Sequence, residues 1–281
     1  MLPGASRLAA VTISPDLRPY ENARGPACTP SPATSGVNPA YQLRFASSRE
    51  DVRATQRLRF EVFSLEFGAV TGGAPGLDQD RFDDLCDHLM VWHTPEGGEP
   101  MVVATYRLLP PPANESNPRA NGLYAAGEFD LEPIESLLGN TVEAGRACVH
   151  PDHRNGATMA LLWGGIARYM QLGNYRYLLG CGSLSLADGG AEAGQVWEMI
   201  RSKHLGPVRW WCRPRRPWRA PESTGVSAAI PALMKGYLRL GATVIGAPAH
   251  DPAFGTADLL VLLDLDQADP RYLRFFLGAG A

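Results

Sequence analysis

The chain has 281 residues, with 26 lysines and arginines against 29 aspartates and glutamates, and 45% of it is hydrophobic. That length suits one large domain or two small ones with a sizeable core, and a net charge of -3 gives no bulk field that would name a partner. Five cysteines without regular spacing argue against a disulfide framework and for a reducing compartment.

The opening MLPGASRLAAVTISPDLRP has too short an apolar stretch for a secretory signal, and no apolar run approaches the roughly 20 residues that span a bilayer. The cytoplasm is the expected location. Residues 1–40 are rich in Pro, Gly, Ser and Ala without sustained periodicity, and read as a disordered leader to a domain over 41–281.

From Tyr41 the pattern changes. Tyr41, Leu43 and Phe45 alternate as a strand face. Ser48-x-x-Asp51 then opens a helix through Val52, Leu58, Val62 and Leu65. Runs from His88 and Met101 flank a Pro-Glu-Gly-Gly-Glu-Pro loop as a hairpin. A short helix is expected near Asp130–Leu138, a strand over 141–150, a helix from Gly156 to Leu172 and a strand from Tyr175. A long irregular stretch to Gly225 precedes a helix from Ser227 to Leu240, with strands near Thr243–Ile245 and Ala257–Leu265. The order β-α-β-β-(α)-β-α-β-α-β-β predicts an α/β fold, a mixed sheet with helices on both faces.

Between the strand of 141–150 and its helix stands Val149-His-Pro-Asp-His-Arg-Asn-Gly-Ala-Thr158. A helix start presents unpaired N–H groups and the positive dipole end, Gly156 permits close backbone approach, and Arg154 adds charge. Together they suit a phosphate; an ordinary solvent-capped helix start is the plain alternative.

This segment resembles the acyl-donor motif Arg/Gln-x-x-Gly-x-Gly/Ala of the GCN5-related N-acyltransferases (GNATs). It departs in placing Gly156 two residues after Arg154 and Ala157 where a glycine is expected. A narrower likeness runs from Tyr41 to Phe276. Arg57-Leu-Arg-Phe-Glu-Val-Phe63, Asp80-Arg-Phe-Asp-Asp-Leu-Cys-Asp-His88, Thr105-Tyr-Arg-Leu-Leu109, Glu143-Ala-Gly-Arg-Ala-Cys-Val-His-Pro151, Leu161-Leu-Trp163 and Pro231-Ala-Leu-Met-Lys-Gly-Tyr-Leu-Arg-Leu-Gly-Ala242 resemble blocks of the ornithine-lipid N-acyltransferases and, more distantly, the acyl-homoserine-lactone synthases.

The resemblance implies a GNAT fold, a mostly antiparallel sheet with a cleft between two splayed parallel strands. It implies an acyl carrier protein or coenzyme A thioester as co-substrate, held by Val149, Arg154, Asn155, Gly156, Ala157 and Thr158, with no tightly bound cofactor. A small amino acid such as ornithine or lysine would accept a long, 3-hydroxyacyl group, yielding an aminolipid precursor. A signal synthase or a non-catalytic acyl-binding module are the rival readings.

Amine attack on a thioester needs positioning, proton management and donors to the carbonyl oxygen, but no covalent enzyme intermediate. Glu143 is the candidate base, because a carboxylate among apolar strand neighbours is expensive unless used; an ion pair with Arg146 or Arg107 is the structural alternative. Gly145 beside it could mark a bulge. Both related families carry the Glu143-x-x-Arg146 pattern. Tyr237, four residues before Gly241, matches the GNAT tyrosine that protonates the leaving thiolate. Arg59, Asp80, Asp83 and Arg107 match lactone-synthase positions used for substrate recognition or loop ordering. Phe63 and Phe67 read as packing or as walls of an acyl tunnel, and His88 as a core histidine or a supporting acid/base group.

Cys148-x-His150-x-x-His153 lacks a fourth metal ligand, so no metal is expected. Cys148 and Cys181 read as packing residues. An insert around 201–225 gathers arginines and three tryptophans. Reception of an acidic carrier protein is the leading reading, ahead of peripheral contact of Arg209–Arg219 with the inner face of a membrane, a loop packing its tryptophans on the core, and nucleic acid, which is not expected.

Overall fold

A computed structural model describes residues 12–13, 41–112, 122–222 and 228–271. The strands are β1 (Thr12–Ile13), β2 (Tyr41–Phe45), β3 (Asp87–His93), β4 (Met101–Leu109), β5 (Phe129–Asp130), β6 (Thr141–Val149), β7 (Tyr177–Ser185), β8 (Arg213–Pro214), β9 (Thr243–Val244), β10 (Ala249–Asp251) and β11 (Thr256–Asp264). The helices are α1 (Arg49–Phe60), α2 (Gly156–Leu172), α3 (Ala191–Arg201) and α4 (Ala232–Leu240). Most of the expected leader lies outside the described residues, but Thr12–Ile13 pairs in parallel with β2 rather than standing apart. Ser227 and residues 223–225 of the insert also lie outside them; the helix expected from Ser227 begins only at Ala232, after Pro231 at its cap, and residues 228–231 are not helical.

The main sheet runs β1-β2-β3-β4-β6-β7-β11-β10, with β9 paired to β11. Among the paired strands described, only β1·β2 and β6·β7 are parallel. The mixed, mostly antiparallel GNAT sheet implied by the resemblance is what forms.

Local sequence explains the elements. In β2, Leu43 and Phe45 turn inward and Gln42 and Arg44 outward. Ser48 caps α1 by accepting from the Asp51 N–H at 3.1 Å. The helix then widens into a π turn over Glu61–Glu66. Asn155 caps α2 in the same way, its Oδ1 accepting from Thr158 N at 3.0 Å.

Two expectations need correction. The stretch after β7 is not all irregular: α3 buries Ala193, Val196 and Ile200 at helical spacing. Its start is hidden because the N-cap is Gly190 (φ 86), and Asp188, two residues earlier, accepts from Gly190 N and Glu192 N. The helix expected near Asp130–Leu138 is a 3₁₀ segment, Glu132–Asn140, with Pro133 in its first turn.

Helices α2, α3 and α4 cover one face of the sheet, around Leu162, Ile166, Val196 and Leu240. On the other face, α1 packs on Met90, Val102 and Cys148, and the 3₁₀ segments pack on Leu179, Leu260 and Leu262. Among the described residues no helix is long and apolar enough to cross a membrane.

Within the basic insert, Trp210 and Trp218 pack against the two cores, while Arg209, Arg213, Arg215, Arg216 and Arg219 stay exposed. These two tryptophans anchor the loop; Trp211 and the arginines are exposed.

Candidate acyltransfer site

The site begins where two strands part. β6 and β7 pair in parallel only at Thr141–Tyr177, Val142–Leu178 and Glu143–Leu179. Beyond that they separate, and a cavity of about 520 Å³ opens between Ala144–Ala147 on β6 and Cys181–Ser185 on β7. Both Glu143 and Tyr237 line it, with Arg107, Arg146 and Tyr106.

A bulge sits at the mouth. On β4, Thr105 and Arg107 face Cys148 and Gly145 of β6, so Tyr106 stands opposite both Arg146 and Ala147. Arg146 takes φ 53, unusual for a side chain this large. The bulge expected at Gly145 therefore falls on the next residue. It twists the strand away from β7 and leaves the β6 edge without a ladder partner there among the described residues.

Glu143 is 6% exposed, and its two oxygens accept from Tyr124 N at 2.7 Å and Ala125 N at 2.8 Å. Backbone amides from the 124–127 turn hold this carboxylate, while the arginines weighed from sequence, Arg107 and Arg146, bind aspartates. A carboxylate oxygen has two lone pairs and can accept from more than one donor.

Tyr237 hydrogen-bonds Tyr106 hydroxyl to hydroxyl at 2.6 Å and packs edge-on to Trp163. Burial pushes Tyr106 up to about 12 and Tyr237 well above the ordinary phenol value. Both rings are neutral near pH 7, so Tyr237 can donate a proton but not remove one. Gly236 is fixed here by space, because a Cβ would lie 2.9 Å from the Trp163 ring.

The four residues matched to acceptor recognition meet in one layer of ion pairs. Arg59, fully buried, gives its Nε to Asp78 at 2.7 Å and its NH2 to Asp83 at 2.8 Å. Arg107 binds Asp80 at 2.7 Å and Asp83 at 3.1 Å, and Arg146 reaches Asp78 and Asp80 at 3.3 and 3.4 Å. The Arg59 and Arg107 charges hold the Asp83 carboxyl below its usual range against the cost of burial. Three arginines and three aspartates thus tie the 72–83 loop to α1, β4 and β6. Of the expected four, only Arg107 lines the cavity; Arg59, Asp80 and Asp83 lie behind it.

His88 belongs to the same layer, with Nε2 bonded to Asp83 O at 2.9 Å and burial pushing it down to about 4. It is a neutral core histidine.

The α2 tip is open. Arg154, Asn155 and Gly156 are exposed, and nothing lies within 4 Å of a Cβ built on Gly156. Val149 ends β6 just before the tip, Ala157 is half-buried, and Thr158 is buried under the cap. The Arg154 guanidinium forks onto Glu66 at 2.6 and 2.5 Å, so an anion at this tip meets an arginine already in use. Phe63 and Glu66 of the π turn, and Phe67 just after it, line the same cavity. Cys148 is buried under α1, while His153 packs against His93 and meets His150 edge-on.

No role is legible from sequence for Tyr106, nor for a group of carboxylates at and behind the cavity wall. Glu128 and Asp258 each place an oxygen within 4.8 Å of the other and of the Cys181 sulfur. Asp251 and Asp258 line the wall. These residues come from three separate segments, so no local motif announces them.

The acetyltransferase (GNAT) domain family matches residues 58–164. The L-ornithine N(alpha)-acyltransferase of Brucella abortus is 33% identical over 256 residues, covering 84% of this chain and 89% of that protein. Its namesake from Rhodobacter capsulatus is 34% identical over 252 residues, covering 84% and 95%. Among solved structures, an N-acyl amino acid synthase from uncultured soil microbes aligns over 82% of this chain and 94% of its own, at 12% identity and a TM-score of 0.49. With a third of its residues identical to these relatives along most of its length, the chain is an acyltransferase of the GNAT superfamily and belongs to the family of the L-ornithine N(alpha)-acyltransferases.

Proposed function

We propose that this acyltransferase moves a long acyl group, 3-hydroxylated in its preferred form, from an acyl carrier protein thioester to the α-amine of ornithine or a similar basic amino acid. The carrying observation is the cavity at the β6–β7 splay, with a fixed carboxylate and a neutral phenol on its wall.

In this reading the α2 tip, from Val149 through Thr158, binds the phosphate of the donor's phosphopantetheine, and the open β6 edge positions the thioester. Glu143 takes the amine proton, directly or through a water, as nitrogen attacks the carbonyl carbon. The C–N bond forms, the C–S bond breaks, and the Tyr237 hydroxyl donates to the departing sulfur. Arg146, held over Tyr124 and Phe254, shapes the wall opposite. The exposed arginines of the insert meet the acidic carrier protein, so its kcat/KM falls with salt while that of an acyl-coenzyme A does not. Contact of Arg209–Arg219 with an anionic bilayer is the alternative use of the same charge.

The test is direct. Purified protein is incubated with 3-hydroxyacyl carrier protein and a panel of amino acids, and N-acyl products are sought by mass spectrometry. N-acylornithine is expected. Product on S-adenosylmethionine alone would favour a signal synthase, and no N-acyl product on any amine would overturn the proposal.

A further inference from the structure

Asp251 and Asp258 line the cavity, and Glu128 stands behind them, with an oxygen within 4.8 Å of Asp258 and of the Cys181 sulfur; no described cation balances the three. Asp258 on β11 stands opposite Ser183 on β7, and Cys181 lies two residues back on the same strand face. Asp251 ends β10, and Glu128 follows the turn whose amides hold Glu143. Glu128, Asp251 and Asp258 are 5%, 5% and 3% exposed.

The arginine-rich layer around Asp78, Asp80 and Asp83 shows how this fold treats buried carboxylates that are structural. Here the treatment differs. Among the described residues no arginine, lysine or histidine pairs with Glu128, Asp251 or Asp258. Asp251 Oδ1 accepts from Ala253 N, and Asp258 Oδ1 accepts from the Thr256 hydroxyl. Glu128 Oε2 is buried and receives no donor among the described residues. Burial and the neighbouring Asp258 and Asp251 charges push the Glu128 carboxyl well up, and it shares a side-chain hydrogen bond with Asp258, which is raised by burial as well. An acceptor-rich wall with an unmet buried oxygen is unfavourable unless a ligand supplies donors and positive charge.

We infer that Glu128, Asp251 and Asp258, with the Ser183 hydroxyl beside them, form the subsite for the side-chain ammonium of the acceptor. An –NH₃⁺ carries three donors and one charge, which suits a cluster of carboxylate and hydroxyl oxygens. The geometry fits the reaction. Glu143 pairs with Leu179, and Cys181 and Ser183 follow at alternate positions on that strand face. The reacting amine at Glu143 and the distal ammonium at the trio would lie on one wall, joined by a side chain of a few methylenes. A neutral side chain would leave the carboxylates unsatisfied, which is how a polar site rejects an analogue.

This inference rests on the basic acceptor proposed above, and its test separates the two. Acyl transfer to ornithine and to norvaline, which lacks only the terminal amine, is measured for the wild type and for Glu128→Gln, Asp258→Asn and Asp251→Asn. Folding of each variant is checked by thermal melting, so that at least one reports. The wild type is expected to prefer ornithine by roughly 100-fold or more in kcat/KM, and each folded variant to lose about tenfold or more of that ratio. An unchanged ratio overturns the inference and leaves the acyltransfer reading intact. In parallel, calorimetry without donor uses ornithine, 1,4-diaminobutane and zinc ion as probes. Glu128-dependent binding of the amines supports the subsite even if acyl transfer fails, which would sink only the proposed reaction. Binding of zinc but of neither amine overturns the ammonium assignment.

Discussion

The hydroxyls of Tyr106 on β4 and Tyr237 on α4 meet at 2.6 Å inside the core, across the β6 bulge from Arg146. Only one phenol can donate within the pair. If Tyr106 donates to Tyr237, the Tyr237 proton is left for a departing sulfur; if the direction reverses, it is not. The pair is therefore a positioning device as well as a packing contact.

From this, Tyr237→Phe should lower kcat about 10²-fold and lose about 1–3 kcal/mol of stability by orphaning the Tyr106 hydroxyl. Tyr106→Phe should cost less rate. The double variant should regain much of the stability without regaining the rate, since both polar groups are gone. Single-turnover kinetics and thermal melts on the three variants check this. A Tyr237→Phe protein at full rate removes the proton-donor role.

Glu143→Gln keeps the shape of the side chain but sets an amide –NH₂ against Tyr124 N or Ala125 N. One of two buried bonds becomes a donor–donor contact, at a cost of about 1–3 kcal/mol. Acyl transfer should fall about 10²-fold or more at saturating substrates. A loss of rate no larger than the loss of folded protein, read by circular dichroism at the assay temperature, would reduce Glu143 to a clasp for the 124–127 turn.

The parts of the site that can be read from sequence are those made by local chain. Thr141–Val149 and Gly156–Leu172 fall where the sequence places a strand and the helix that follows it. The bulge lies one residue beyond its sequence signal, because glycine advertises a bulge but Arg146 is the residue that takes the positive φ. Arg59 and Asp83 are visible as charges in a motif. Their burial is not, because it depends on three aspartates and three arginines converging from four segments. The Glu128–Asp251–Asp258 wall is invisible for the same reason: β10 and β11 bring residues more than a hundred positions apart to one end of the cleft. The helix α3 escapes because its first-turn amides are bonded by Asp188, before a left-handed glycine, rather than by a residue at the cap.

Removing one partner from the arginine–aspartate layer should be costly. Arg59→Leu leaves Asp78 and Asp83 buried without their main counter-charge, for a loss of about 3–5 kcal/mol. The acceptor KM should change little in whatever protein remains folded, because Arg59 does not line the cavity. A stable Arg59→Leu protein with a sharply raised acceptor KM would restore Arg59 to acceptor recognition.

The Glu66–Arg154 fork gives a prediction of opposite sign at the donor end. Glu66→Ala frees the guanidinium for an incoming phosphate. A partly exposed pair is worth about 0.2–1 kcal/mol, so the donor KM should fall by up to about fivefold. Arg154→Ala should raise it. Both effects should shrink in high salt. If Glu66→Ala raises the donor KM instead, Glu66 helps build the donor site rather than competing for it.

His88 sets how the protein meets acid. Its ring is sealed between Thr55 and Asp83, and burial pushes it down to about 4, against about 6.5 for a free imidazole. Between those values the unfolded chain binds the proton and the folded one refuses it. The unfolded state therefore takes up more protons, and stability rises with pH across that window. Its full contribution is present above pH ~6.5 and is lost as pH falls toward 4, by about 3 kcal/mol for a shift of this size. Asp83, held below its usual range by Arg59 and Arg107, adds a further loss only below the ordinary carboxylate value. Melting temperatures at pH 7.5, 6, 5 and 4.5 should drop steeply below 6.5 in the wild type. In His88→Gln, whose amide can still donate to Asp83 O, the same series should be flatter over pH 5–6.5, even if the starting stability is lower. Parallel curves for the two proteins would show that His88 does not carry the acid sensitivity.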